Sequence, residues 1–170
     1  MKKKTIKATI LGLMLVATVS QGSKVLAAYP NEYDSVPLSY PKWAYDSIGS
    51  YVKAVAYATP DYNCLGYAVG FPGFLWPWRN ATNGLDRPAD MTEVEKYLKD
   101  SYGYTTCTAP YQPQVMAYGK DYQNIGHFAK GIGTDSKAKW GSMEVMYSTG
   151  WDPYNFTPAG YGKLQGKFKK

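Results

Sequence analysis

Cys64 and His127 are the residues best equipped for chemistry in this 170-residue chain. The cysteine lies in Asp61-Tyr62-Asn63-Cys64-Leu65-Gly66-Tyr67-Ala68-Val69-Gly70, and the only histidine lies in Ile125-Gly126-His127-Phe128-Ala129-Lys130. A thiol in the first turn of a helix is favoured as thiolate by the free backbone N–H groups there, and an imidazole can accept and return its proton. That pair is sufficient for acyl transfer. Cys64 would attack an amide or ester carbonyl, and its own N–H, with Asn63 or Tyr62 as further candidates, would hold the oxyanion. His127 would then protonate the leaving amine. A cysteine used this way is expected to ionise well below the ordinary thiol value of about 8.5.

The elements that must position the two groups follow from local pattern. Asp61 or Asn63 can cap a short helix whose inward face is Leu65, Ala68 and Val69, with Gly70 ending it before Pro72. Upstream, Ile48, Tyr51, Val52 and Val55 recur at helical spacing, so a helix is expected from Ser39 or Pro41 toward Tyr57. Phe71 to Trp78 carries two prolines and a glycine and reads as an aromatic loop. Asp90 and Glu93 mark a capping box ahead of the stripe Met91, Val94, Tyr97, Leu98 and Tyr102, and Gly103 ends that helix. Strands are expected at Tyr104–Ala109, Gln114–Tyr118, Ile125–Ile132 and Lys137–Tyr147, with Trp151 to Tyr161 a loop. Helices first and a mostly antiparallel sheet afterwards define an α+β domain.

On a strand, His127, Ala129 and Gly131 share one face, and the small residues leave room there for the cysteine helix to approach. A third group should orient the imidazole. If Gly133 to Ser136 connects a hairpin with Ile132 opposite Lys137, Ser142 faces His127, with Trp140 and Glu144 on the same side. A one-residue slip would bring Lys139 and Met143 instead. Ser142 and Glu144 are therefore the orienting candidates, with Asp152 a further one from the loop.

Residues 1–27 read as a signal peptide. Lys2, Lys3, Lys4 and Lys7 precede an apolar run, Ala8 to Val19, and Val25-Leu26-Ala27 resembles a cleavage site. Residues 28–170 then form a single secreted domain. Five of the 19 basic residues and none of the 13 acidic ones lie in the leader, so 14 basic against 13 acidic residues leave a net charge of +1 on the domain. That balance gives no reason to expect a nucleic-acid partner, and the apolar run is too short for stable membrane insertion. Lys163, Lys167, Lys169 and Lys170 read as a solvated tail. One histidine and two distant cysteines offer no metal motif, and no cofactor motif is present. Cys64 and Cys107 can be free, or can close a disulfide worth roughly 3–4 kcal/mol.

Tyr62-Asn63-Cys64-Leu65-Gly66-Tyr67-Ala68 is similar to the Y-N-C-x-x-Y-A-W segment of secreted bacterial proteins that also carry a strand histidine and then K-W-G, here Lys139-Trp140-Gly141. More broadly the chain resembles the papain-like, NlpC/P60-like superfamily of thiol hydrolases. Val69 stands where a tryptophan is common, and Ala138 where a serine often precedes K-W-G. The resemblance implies a cysteine on a short helix packed on a C-terminal antiparallel sheet carrying the histidine. It also implies Cys64 as nucleophile, His127 as general base and acid, and an extracellular peptide or cell-wall substrate. Lys139 and Trp140, with Trp76 and Trp78 of the aromatic loop, are the candidates for lining that substrate. Two alternatives use other features: a non-catalytic secreted binding protein with an aromatic surface loop and a structural cysteine pair, or an antagonistic, bacteriocin-like protein whose basic tail meets membranes.

Overall fold

A computed structural model describes residues 31–108, 111–155 and 160–170; the signal peptide expected at residues 1–27 therefore lies outside the described residues. Ten elements follow in chain order: α1 (Lys42–Asp46), β1 (Lys53–Ala56), α2 (Cys64–Val69), α3 (Met91–Tyr102), β2 (Thr105–Thr106), β3 (Val115–Gly119), β4 (Ile125–Ile132), β5 (Asp135–Lys139), β6 (Val145–Ser148) and β7 (Lys163–Lys169). The strands form one seven-stranded antiparallel sheet in the order β1-β6-β5-β4-β3-β7-β2. The chain is α+β, as its pattern predicts.

The two caps the sequence marks are in place. Asn63 caps α2 through Gly66 N–H, and Gly70 ends it in the left-handed region at φ 83°. Asp90 and Glu93 form the reciprocal capping box of α3, which closes on Gly103 at φ 73°. Three expectations are corrected. The first helix spans only Lys42–Asp46, and Val55, expected on its stripe, is buried in β1. Sheet pairing of Lys53 and Ala54 with Tyr147 and Met146 has overridden a weak helical period.

Secondly, Lys137–Tyr147 is two strands, because a turn at Trp140–Met143 folds β6 back on β5. The third correction concerns the tail. Lys163–Lys169 is no frayed end but an interior strand between β3 and β2. Phe168 is fully buried, while Lys167 and Lys169 lay their ammonium groups on the rings of Trp151 and Tyr111. At Gly166 a Cβ would lie 2.1 Å from the Met91 methyl, so α3 rests directly on the β7 backbone.

Both faces of the sheet are covered. One carries α2 and α3, whose Leu65, Ala68, Met91, Val94 and Leu98 pack with Val115, Ala117, Phe128 and Phe168. The other is covered by the lead-in and the segment before β7, where Tyr45 and Tyr154 pack with Met116, Tyr118, Ala129 and Trp140.

Candidate active site

Cys64 is the first residue of α2, and α2 lies on β4 with Tyr67 under the Lys130 ammonium, 5.1 Å from its ring. This is the face of Phe128 and Lys130, not the face of His127 and Ala129 that the small residues suggested. The correction has a simple cause. Aromatic side chains from beyond β6 fill the space over His127: Tyr161 stacks on the imidazole at 3.6 Å and 6° and Tyr154 meets it edge-on at 5.0 Å, while Tyr118 of the neighbouring β3 lies 6.0 Å away.

The cysteine nevertheless reaches the backbone of β4 at Phe128, the residue after His127. The β4–β5 ladder runs only from Lys130↔Lys137 to Ile132↔Asp135, so Phe128 has no ladder partner on that side. Gly131 N–H bonds to Gln114 on the β3 side, and by strand alternation Phe128 N–H points the other way, into the opening beyond the ladder. The Cys64 sulfur lies near that N–H, which favours its ionised form. A negative charge on it would be felt by Lys139 on the helix face and by Tyr154 and Tyr161 on the histidine face. The thiol thus sits beside the backbone of the residue following His127, within electrostatic reach of both layers.

The protonation states differ from expectation. Burial pushes the Cys64 thiol up to about 11, although the N–H groups of Phe128, Leu65 and Cys64 and the Lys139 charge oppose it. Burial also lowers the imidazole to about 3, and its Nε2 has no hydrogen-bond partner. Among the described residues only one other buried side-chain polar atom is orphaned, the hydroxyl of Tyr62, two residues before the cysteine. At neutral pH the resting site is a neutral thiol and a neutral imidazole. A low thiol pKa was expected from the helix terminus and a charged His127; full desolvation outweighs one short helix, and the imidazole is neutral.

The remaining candidates separate into those near the thiol and those with other duties. Asn63 is committed: its Oδ1 accepts from Gly66 and Leu75 N–H and its Nδ2 donates to Leu75 carbonyl, which fastens the aromatic loop to α2. Ser142 is exposed in the β5–β6 turn. The hairpin pairs Ile132 with Asp135 rather than Lys137, a two-residue difference that keeps the faces but removes Ser142 from His127. Glu144 accepts from Ser39 N–H and Tyr45 Oη at 2.7 and 2.6 Å. Burial works against its ionisation, but those donors win and hold it below the usual carboxylate range, so it anchors α1. Asp152 accepts from Leu164 N–H and holds the start of β7.

Trp76 donates to Arg87 carbonyl, and Trp78 is buried and stacked on Phe128; both seal the core rather than face a substrate. Phe71 and Phe74 are the exposed rings of that loop. Trp140 is buried too, donating to Tyr154 Oη at 3.0 Å. Lys139 is fully buried beside the thiol. Cys64 and Cys107 are both free, so the structural pair is not formed. Sequence reasoning missed Tyr154 and Tyr161; their signal was the aromatic density of a segment read only as loop.

The buried imidazole makes a test of its own. An unfolded chain takes up this proton near pH 6.5 and the folded one only near pH 3. The unfolded state therefore binds more protons between those values. The contribution to stability is complete above about pH 6.5 and is lost as pH falls toward 3, at up to about 1.4 kcal/mol per pH unit. His127→Phe keeps the stack on Tyr161 and removes the orphaned nitrogen. It is expected to stabilise the fold by about 1 kcal/mol at pH 7, and by more at pH 4.5, in urea melts.

Among the described residues no cluster of three or more His, Cys, Asp or Glu could hold a metal ion, and no helix is long and apolar enough to cross a membrane. The site defines an α+β domain with a helix-borne cysteine inserted beside a histidine strand. The chain belongs to the family described as a domain of unknown function (DUF7689), whose model matches residues 53–169. Comparison with curated proteins and with solved structures gives no match.

Proposed function

We propose that this protein is a secreted cysteine hydrolase, a peptidase or amidase of papain-like, NlpC/P60-like architecture acting on cell-wall peptide or other extracellular amide bonds. One observation carries the reading: the Cys64 sulfur is seated against the N–H of the residue after His127, whose buried Nε2 is left without a partner. A buried orphaned nitrogen costs about 1–3 kcal/mol, a cost that use in chemistry explains. The neutral pair is a competent starting state. As sulfur attacks the carbonyl carbon, the S–H proton passes to His127; the oxyanion forms near Cys64 N–H. Collapse breaks the C–N bond, the amine leaves with the proton from His127, and water attacks the thioester to release acid and thiol. A surface recess of about 420 Å³ is lined by Tyr154 and Tyr161, the rings that cover the imidazole.

The second reading is the non-catalytic binding protein, favoured by the 7% and 1% exposure of Cys64 and His127. p-Nitrophenyl acetate separates the two. The hydrolase gains one acetyl group on Cys64, seen by peptide mass mapping, with one p-nitrophenolate released per acetyl transferred. Acetyl found only on lysines, or equally on Cys107, excludes the hydrolase.

A further inference from the structure

The β5–β6 turn holds a buried cation that the acyl-transfer scheme does not use. Lys139 is fully buried, and its Nζ donates to the carbonyls of Gly141, at 2.8 Å, and Met143. Among the described residues it makes no ion pair. Glu144, the nearest acidic influence in sequence, spends its oxygens on Ser39 and Tyr45. An ammonium buried without a carboxylate partner is costly, and such groups concentrate where a charge is wanted. Continuing the β4–β5 register beyond the ladder places Lys139 across from Phe128, the residue whose N–H meets the Cys64 sulfur. The Tyr62 ring lies 5.4 Å from the ammonium, closing the same corner from the chain before α2.

We infer that Lys139 is the positioning cation of Cys64, the group that stabilises negative charge on the sulfur, while His127 only moves the proton. This rests on Cys64 being the nucleophile. The charged and titratable groups around the pair are Asp61, Tyr62 and Glu144 toward Lys139, and Tyr154 and Tyr161 toward the sulfur, with His127 stacked behind Tyr161. Of these only Lys139 is a cation at neutral pH. Burial lowers its ammonium to about 8, which keeps it mostly charged at pH 7 and makes the pair sensitive to mild alkali.

The test is alkylation of Cys64 by iodoacetamide, a neutral probe, followed by mass spectrometry between pH 5 and pH 10. Lys139→Met is expected to slow labelling at pH 7 by tenfold or more, and Lys139→Arg to restore it to within about threefold. Unchanged labelling in folded Lys139→Met overturns the inference but leaves Cys64 as nucleophile. A wild-type protein with the profile of an ordinary thiol overturns both. A second measurement does not need the Met variant to fold. Lys139 ¹³Cε titration in Cys64→Asp against Cys64→Ser should show the ammonium pKa raised by at least one unit beside the fixed anion. An equal pKa in the two variants contradicts the assignment.

Discussion

Deleting Lys163–Lys170 is expected to abolish cooperative folding. β7 is bonded on both edges, to β3 through Val115–Gly119 and to β2 through Thr105 and Thr106. Its removal bares the inner edge of β3, strips Phe168 from the helix-side core and leaves α3 without the Gly166 backbone on which Met91 rests. A domain of this size has about 5–15 kcal/mol of stability in total. Phe168→Ala alone is expected to cost about 3–5 kcal/mol. Circular dichroism and urea titration check both changes. A truncated protein with a native-like unfolding transition would mean that the strand is dispensable.

The second large effect is on chemistry. Cys64→Ala is expected to lower hydrolysis of the protein's amide substrates by at least about 10³-fold, and His127→Ala by about 10²-fold or more. The double variant should be no worse than Cys64→Ala, because residues that act as a unit do not add. Cys107→Ala should leave turnover unchanged, since its thiol lies beside β2 and its N–H bonds Lys167. Full losses that multiply in the double variant would show two independent structural defects instead of one catalytic unit.

These two effects divide along the line between what the sequence makes legible and what it hides. Caps are local, so Asn63, Gly70, Asp90, Glu93 and Gly103 could be read from side-chain chemistry alone. Strand partners are not local. Nothing within Lys163–Lys170 says that β3 and β2 wait on either side, and lysines at its surface positions made the segment look solvated. The same blindness affected the site. Cys64 and His127 were visible as residue types and were expected to pair, whereas Lys139 was expected only as a residue lining the substrate.

Which face each side chain takes depended on what covers the sheet. The rings of Tyr154 and Tyr161, contributed by a stretch without periodicity, occupy the His127 side and leave α2 to the Phe128 side. Ser142 was misplaced because a hairpin two residues tighter preserves the inward–outward pattern while moving every cross-strand partner. Desolvation of both reacting groups is likewise a property of the packed layers, and no single segment carries it.

The most direct test of the account is the pH dependence of Cys64 acylation in wild-type protein. A neutral thiol handing its proton to a neutral imidazole requires both groups in the states set by values of about 11 and about 3. The rate should therefore be flat from about pH 5 to about pH 7, below the range in which Lys139 loses its proton, and the His127→Phe variant should lose that plateau. A wild-type rate that climbs tenfold with each pH unit across this range, unchanged in His127→Phe, would show a buried thiol reacting without help from His127 and would contradict the account.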